Sequence, residues 1–356
     1  MALRNTSVNI IIGQVAPQNK STINSMGYNA LNNITSRGRK QVSCAPPLLQ
    51  NVTIRDKVLT YEMSNANKNI EQVPSTCVGN VNLGNASNPD LVSDYVVEIY
   101  RHLGELETRD IIKPNFLKGH IVTPNMRAVL VDWLVQVHVH FSLLQETLQL
   151  TIGILDRVLQ ADNSVTRNDL QLLGITATLI ASKFEEVCPP DLEDLVNLTA
   201  GRYSNADVQR MELRVLNTLG WNVSFPQPIH FLRRYSKVCQ ATAQHHTLAK
   251  FLIDLSLQEY SLCHHQPSIL AAAALHLSQR ILLGNTQMSP IIQKYLGYTE
   301  ESLKPLVGQL ASVLDSSPSS KLMAIREKYR FNSYFNFSKI NYNIVKMITT
   351  KHNNTP

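Results

Sequence analysis

The feature that most constrains the fold is the run at 126–138, which reads MRAVLVDWLVQVH. It contains no glycine or proline, and Thr123 followed by Pro124 supplies an N-cap and a first-turn residue, so the run predicts a helix. Apolar side chains cover most of its circumference, which is typical of a helix that is buried or that offers a second face to a partner. Arg127 lies inside this run and is expected to need a carboxylate from another helix.

Helical patterns account for the rest of the central chain. Residues 89–107 have an amphipathic pattern, and five helical patterns separated by short breaks occupy 124–221. The segment 226–330 repeats the scheme, because a helix rich in small residues at 269–282 stands where 175–187 stands in the first half. The predicted fold class is therefore all-α, with two tandem five-helix units preceded by an N-terminal helix and a disordered tail.

The composition favours an intracellular protein with a sizeable core. The chain has 356 residues, 44% of them hydrophobic, and a net charge of +6 that is scattered along the sequence. Nucleic-acid binding is therefore only weakly indicated, and no stretch is long and apolar enough to predict a membrane span. The five cysteines are dispersed without a CxxC pair, which favours reduced thiols. We expect a protein of the nucleus and cytoplasm.

No constellation typical of catalysis occurs in the sequence. It has no phosphate-binding glycine loop, no HExxH and no GxSxG. The pairs His245-His246 and His264-His265 are poor joint metal ligands, because neighbouring helical residues point away from each other. Cys188 has no nearby base in the sequence. We therefore expect no enzymatic activity, no metal and no cofactor.

Several motifs occur in an order that identifies a resemblance. The segments LLQETL, ILDRVLQ, ITATLIASKFEEVCPP, HFLRRYSK, QHHTLAK and GYTEESL follow the opening helix. Together they resemble the B-type mitotic cyclins over about residues 90–335. The resemblance implies a non-catalytic activating and substrate-docking subunit of a mitotic cyclin-dependent Ser/Thr kinase, which controls the G2/M transition as a heterodimer with the catalytic subunit.

The resemblance also implies a division of the chain into five segments. A first cyclin box at 124–224 and a second at 225–335 follow an N-terminal helix and linker at 89–123. A disordered regulatory tail at 1–88 precedes them, and a frayed polar tail at 336–356 follows. These boundaries are expectations for the fold.

The end of the third helix of the first box is the expected kinase-binding surface. A Lys and acids at a helix end are ordinarily solvated, and that alternative stays open for the residues taken alone. In cyclins, however, the corresponding Lys grips the kinase together with a Glu of the fifth helix. The kinase-binding set implied here is Lys183, Phe184, Glu185, Glu212 and Trp221.

The opening helix carries the expected substrate-docking patch. In most helices such an apolar stripe packs on a neighbouring helix, but in cyclins the corresponding surface binds short basic and apolar motifs of substrates and inhibitors. The implied patch consists of Met126, Val129, Leu130, Trp133, Gln136 and Gln171. Val129 and Gln136 stand where other cyclin classes carry Ile and an acid, which weakens the attraction for basic motif residues.

Two further groups of charged residues are singled out. Arg127 is expected to pair with Asp156 of ILDRVLQ, in a structural role. Arg233, His246 and Lys250 correspond to a phosphate-binding pocket of B-type cyclins, and His246 and Lys250 share a helix face because they are four residues apart. Three scattered surface cations are an equally open interpretation of that group.

The tail contains a degenerate form of the destruction box of B-type cyclins. Leu31 and Ile34 fit the motif, but Tyr28 stands where the motif has Arg, which removes its charged anchor. Recognition by the anaphase-promoting ubiquitin ligase and a chance Leu in a polar tail both stay open.

Two other functions also stay open. One is a cyclin-fold transcription adaptor, which would call for a strongly basic face and usually a zinc ribbon, and neither occurs in the sequence. The other is a cyclin-fold scaffold that activates no kinase. We expect the double substitution of Lys183 and Glu212 by Ala to separate these functions from kinase activation.

Overall fold

In a computed structural model, the structure describes residues 95–284, 288, 293, 297–330 and 340–353. These residues form helices joined by turns and loops, and no strand occurs among them, so the predicted all-α fold class is confirmed. The predicted regulatory tail, with Tyr28, Leu31 and Ile34, lies outside the described residues. The helices are α1 Val96–Arg109, α2 Pro124–Phe141, α3 Gln145–Ala161, α4 Leu170–Glu185, α5 Leu192–Asn197, α6 Asn205–Thr218, α7 Pro228–Val238, α8 Ala243–Gln258, α9 Pro267–Leu283, α10 Glu300–Ser316, α11 Ala324–Arg330 and α12 Tyr342–Asn353.

The organising helix α2 begins where the sequence predicts. The Thr123 Oγ1 accepts a hydrogen bond from the backbone N–H of Met126 at 3.3 Å, and Pro124 occupies the first helical position. The helix ends at Ser142, whose left-handed backbone has a φ of 54°. Its apolar residues are buried on several sides, as its broad apolar surface predicts.

Helix α4 lies at the centre of the first unit, α2–α6. Its small residues allow close approach, and Ala177 and Ala181 are completely buried. At Gly174 an added Cβ would lie 3.0 Å from the Cδ1 of Leu130, so glycine permits the contact between α4 and α2. The helix stops before Pro189, where the chain turns toward α5.

Helix α9 has the same role in the second unit. Its four consecutive alanines, 271–274, are completely buried between α7, α8 and α10. The prediction of a frayed tail at 336–356 is wrong for α12, because Val345 and Ile348 are buried in the core of the second unit. These two residues are three positions apart and share one helix face, although the C-terminal end of the segment, Thr349–Asn353, is polar.

Helix α1 packs on the second unit. The hydroxyl of Tyr100 donates to the carbonyl oxygen of His230 at 2.9 Å, and the Glu107 carboxylate accepts from the N–H (3.0 Å) and hydroxyl (2.6 Å) of Ser268. Ser268 lies in the first turn of α9, where a carboxylate is favoured by the helix dipole. Burial of Glu107 raises its pKa, although both hydrogen bonds from Ser268 act in the opposite direction.

Helix α11 forms hydrogen bonds with acidic side chains of both units. In the first unit, Asp132 accepts a hydrogen bond from the N–H of Ala324 at 2.9 Å. In the second unit, the buried Asp254 accepts from the Lys328 Nζ at 3.0 Å and from the Tyr329 hydroxyl at 2.9 Å. The segment after α10 therefore joins the two units. None of the helices in the described ranges has the length and apolar character of a membrane span.

Candidate kinase-docking surface

An exposed ion pair joins the end of α4 to α6. The Lys183 Nζ lies 2.6 Å from the Oε1 of Glu212, and the side chain of Lys183 is 51% exposed. The structure thus brings together the two charged residues of the expected kinase-binding set. An ion pair so exposed contributes little to folding, so stability does not explain its position.

Large apolar side chains lie exposed close to this pair in the sequence. Phe184 is 55% exposed and Trp221, in the loop after α6, is 64% exposed. Val187 and Leu213 are also exposed, although the sequence analysis did not single them out. Exposed apolar side chains that adjoin an ion pair are typical of a surface that a partner protein covers.

Two acids hold the end of α4 in place. The Glu186 Oε1 accepts hydrogen bonds from the backbone N–H of Leu144 at 2.7 Å and from the hydroxyl of Thr147 at 2.5 Å, at the beginning of α3. The Glu185 Oε1 accepts from the Nε2 of Gln227 at 3.2 Å, just before α7. Glu185 was expected to bind the kinase, but in this structure it accepts a hydrogen bond from within the chain. The sequence analysis did not single out Glu186, which connects the end of α4 to the beginning of α3.

A buried ion pair forms a second charged centre, at the contact between the two units. The Nε and Nη2 of Arg127 each donate to an Asp156 oxygen at 2.6 Å, and its Nη1 donates to the carbonyl oxygen of Leu257 at 2.9 Å. Burial lowers the pKa of Arg127, but the charge of Asp156 and the hydrogen bonds to it act together in the opposite direction, and the net effect is a raised pKa. The expected Arg127–Asp156 pair is thus present, and it also links α2 to the end of α8.

Most of the expected docking patch lies inside the first unit. Leu130 is completely buried, and Val129 and Trp133 are only 5% and 8% exposed. Gln171 is also buried, so that Met126 and Gln136 are the partly exposed members. The Gln136 Nε2 donates to Asp132 at 3.2 Å, which orients this amide along α2. The patch in this structure is therefore a narrow rim above a packed core.

Comparison with known proteins identifies the family. A family model of the cyclin N-terminal domain matches residues 98–224, and one of the cyclin C-terminal domain matches residues 226–342. The chain belongs to the cyclin family. It is 44% identical over 263 residues to a "G2/mitotic-specific cyclin-B" of Patella vulgata, in an alignment that covers 74% of this chain and 64% of that relative. It is 40% identical over 282 residues to a "G2/mitotic-specific cyclin-B1" of Oryzias latipes, covering 78% and 69%.

These relatives place this cyclin in the B-type group, as the sequence motifs predict. The alignment with the Patella vulgata protein spans less than two thirds of that relative's length. Among solved structures, a viral cyclin from herpesvirus saimiri superposes with a TM-score of 0.52 at 21% identity, over 63% of this chain and 99% of that chain. At that level of identity the likeness shows the fold alone.

The three cations of the expected phosphate pocket have different environments in this cyclin. The Arg233 Nη1 lies 2.5 Å from the Oε1 of Glu146, and His246 is only 3% exposed, with its Nδ1 2.8 Å from the Ser236 hydroxyl. Burial raises the pKa of Glu146, but the charge of Arg233 and the hydrogen bond from it act in the opposite direction, and with smaller contributions they leave the pKa lowered. Lys250 is partly buried. A phosphate at Arg233 would therefore compete with Glu146.

The remaining candidates for chemistry are separate from this surface. Within the part of the chain that the structure describes, no three His, Cys, Asp or Glu side chains are grouped as metal ligands. Burial raises the pKa of the thiols of Cys239 and Cys263 to about 12, which keeps them protonated and unreactive near neutral pH. Cys188 is exposed in the loop after α4.

Proposed function

We propose that this cyclin is the non-catalytic activating and substrate-docking subunit of a mitotic cyclin-dependent Ser/Thr kinase and controls the G2/M transition. The observation that carries the proposal is the exposed Lys183–Glu212 pair, together with the exposed side chains of Phe184, which follows Lys183 in the chain, and of Trp221 after α6. The names of the relatives, which are G2/mitotic-specific cyclins, support the mitotic role.

The proposed mechanism is a shift of the kinase population toward its active conformation. Burial of Phe184 and Trp221 by the kinase would remove apolar surface from water, and Lys183 and Glu212 would orient the docked helix of the kinase. In an active kinase this helix presents a Glu to the active-site Lys. The cyclin would act by binding the active conformer more tightly than the inactive one, and no bond is made or broken on the cyclin itself.

We propose that substrates and inhibitors bind at the docking patch through short basic and apolar motifs. Met126 and Gln136 form its accessible rim, whereas Val129, Leu130 and Trp133 form its buried floor. An apolar peptide side chain would bind against this rim. Because Gln136 is neutral, the basic part of the motif would be held more weakly than by an acid.

The other roles that the resemblance implies remain proposals for this chain. They comprise a phosphate pocket at Arg233, His246 and Lys250, recognition of the tail by the anaphase-promoting ubiquitin ligase, the domain boundaries at 89, 124 and 225, and residence in the nucleus and cytoplasm. A pocket at Arg233 needs the phosphate to displace Glu146, which is a specific and testable requirement.

An activation assay tests the proposed function. We would mix the purified chain with a monomeric cyclin-dependent kinase and measure histone phosphorylation, with the variant Lys183→Ala/Glu212→Ala in parallel. We expect a large rise in activity with the wild-type chain and at least a tenfold smaller rise with the variant, because a few central contacts dominate an interface. The variant Glu327→Ala/Arg330→Ala removes another exposed pair and is the matched control. If no complex forms and activity does not rise, the scaffold function replaces kinase activation.

A further inference from the structure

Trp221 has a backbone conformation that bulky residues rarely adopt. Its φ is 62°, and it follows Gly220, whose φ is 56°, where the chain leaves α6. Its N–H donates to the carbonyl oxygen of Leu216 at 2.9 Å, which completes the helix C-terminal turn. Because the ring is 64% exposed, packing in the core does not hold it in place. The surrounding hydrogen bonds must therefore maintain this strained turn.

One of these bonds comes from a distant helix. The Nδ2 of Asn222 donates to the Oδ2 of Asp110 at 3.0 Å, and Asp110 is the C-cap residue of α1. The same carboxylate accepts from the Nε and Nη2 of Arg109 at 3.3 Å, and the Arg157 Nη2 lies 3.7 Å from its Oδ1. The Oδ2 of Asp110 is thus shared by Arg109 and the amide next to Trp221, and its Oδ1 faces Arg157.

The carboxylate of Asp110 is attached to well-anchored elements. Helix α1 is bound to the second unit through Tyr100 and Glu107, and Arg157 belongs to α3 and has a side chain only 8% exposed. Burial lowers the pKa of Arg157; the charge of Asp110 partly offsets this effect, and the charge of Arg109 adds a smaller lowering. The bond to Asn222 therefore connects the strained turn to α1 and, through Arg157, to α3.

We propose that Asp110 is a positioning residue for Trp221 and acts through the side chain of Asn222. Helix α1 thereby sets the orientation of an aromatic side chain on the kinase-docking surface. The effect on kinase affinity rests on the proposed function, whereas the positioning of the ring does not.

Tryptophan fluorescence tests the positioning directly. The chain has two tryptophans, and Trp133 is only 8% exposed, so acrylamide quenching reports chiefly on Trp221. We expect Asp110→Ala and Asn222→Ala each to lower the anisotropy of the quenchable fluorescence and to raise its quenching constant. Asp110→Asn keeps an acceptor oxygen and should restore the wild-type values. Asn217→Ala, at an exposed position in the last turn of α6, is the matched control. Unchanged fluorescence in both Ala variants would overturn the proposal.

Kinase affinity tests the consequence. Each Ala variant should raise the Kd for a monomeric cyclin-dependent kinase about 3- to 10-fold, because that is the change in affinity expected for the loss of one hydrogen bond. The double variant should lose no more than either single variant, because both remove the same contact. An unchanged Kd for Trp221→Ala would reject the kinase-facing role of that ring, and the fluorescence result would still decide its positioning.

Discussion

Two ion pairs of similar geometry have opposite surroundings in this cyclin. Arg127 and Asp156 meet at 2.6 Å with side chains 1% and 5% exposed, whereas Lys183 and Glu212 meet at 2.6 Å with side chains 51% and 18% exposed. The buried pair is bidentate and also binds a backbone carbonyl of the second unit. Each member of the exposed pair is followed in the chain by an exposed apolar residue, Phe184 and Leu213. The difference separates a charge pair that the fold requires from one that the fold can lose.

The largest predicted effect breaks the buried pair. Asp156→Ala leaves the guanidinium of Arg127 buried without its counter-charge, and we expect the free energy of unfolding to fall by about 3–5 kcal/mol. Urea unfolding followed by circular dichroism measures this change. Glu105→Ala, which removes the exposed partner of Arg101, should change it by less than about 1 kcal/mol. A loss of the same small size for Asp156→Ala would show that burial does not distinguish the pairs.

A second prediction uses pH to sharpen the contrast between buried and exposed groups. Burial, aided by the charge of Arg280, lowers the pKa of His276 from 6.5 to about 4. The unfolded chain therefore takes up this proton near pH 6.5 and the folded chain only near pH 4, so stability is lost as the pH falls between these values. The contribution of His276 is at most about 3 kcal/mol. Urea unfolding at several pH values should give a flatter profile for His276→Gln, and an identical profile would contradict the assignment.

A third prediction compares a buried glycine with a partly buried one that has open space beside it. Gly174→Ala places a Cβ about 3.0 Å from the Cδ1 of Leu130, and we expect a loss of about 1–3 kcal/mol in the free energy of unfolding. At Gly104, inside α1, an added Cβ would meet no atom within 4 Å, so Gly104→Ala should stabilise the chain by about 0.5–1 kcal/mol. Thermal unfolding of both variants measures the difference. Equal shifts of Tm would show that α2 and α4 do not depend on the close approach.

The smallest predicted effect concerns the exposed pair. Lys183→Ala/Glu212→Ala should change the free energy of unfolding by less than about 1 kcal/mol, because solvent screens the pair. Urea unfolding of the double variant beside the wild-type chain measures it. A loss of 3 kcal/mol or more would make this pair a structural one and would remove the contrast.

The sequence predicted the features that depend on local signals or on one unavoidable pairing. Thr123 and Pro124 marked the beginning of α2, because an N-cap and a first-turn proline act within one turn. The partner of Arg127 was predictable because a charge in an apolar helix needs an opposite charge. Helical periodicity and the repeat of a helix rich in small residues gave the fold class and the two-unit organisation, and the cyclin motifs implied the same architecture.

The features that were missed depend on tertiary contacts. Within the amphipathic pattern predicted at 89–107, Tyr95 and Ile99 are exposed, whereas Tyr100 and Glu107 bond to the second unit. From the sequence alone, Glu186 is an acid at a helix end that is expected to be solvated. Its hydrogen bond from the backbone N–H of Leu144 depends on the tertiary contact with the beginning of α3. Helical periodicity gives a helix several possible faces, and the packed neighbour decides which one is buried.

The affinity of the Lys183→Ala/Glu212→Ala variant for a monomeric cyclin-dependent kinase tests the central claim most directly. Titration calorimetry of the wild-type chain, this variant and the Glu327→Ala/Arg330→Ala control gives the three Kd values. We predict a Kd at least tenfold higher for the first variant, with its unfolding free energy nearly unchanged, and a wild-type Kd for the control. A wild-type Kd for the first variant would contradict the assignment of this surface to the kinase.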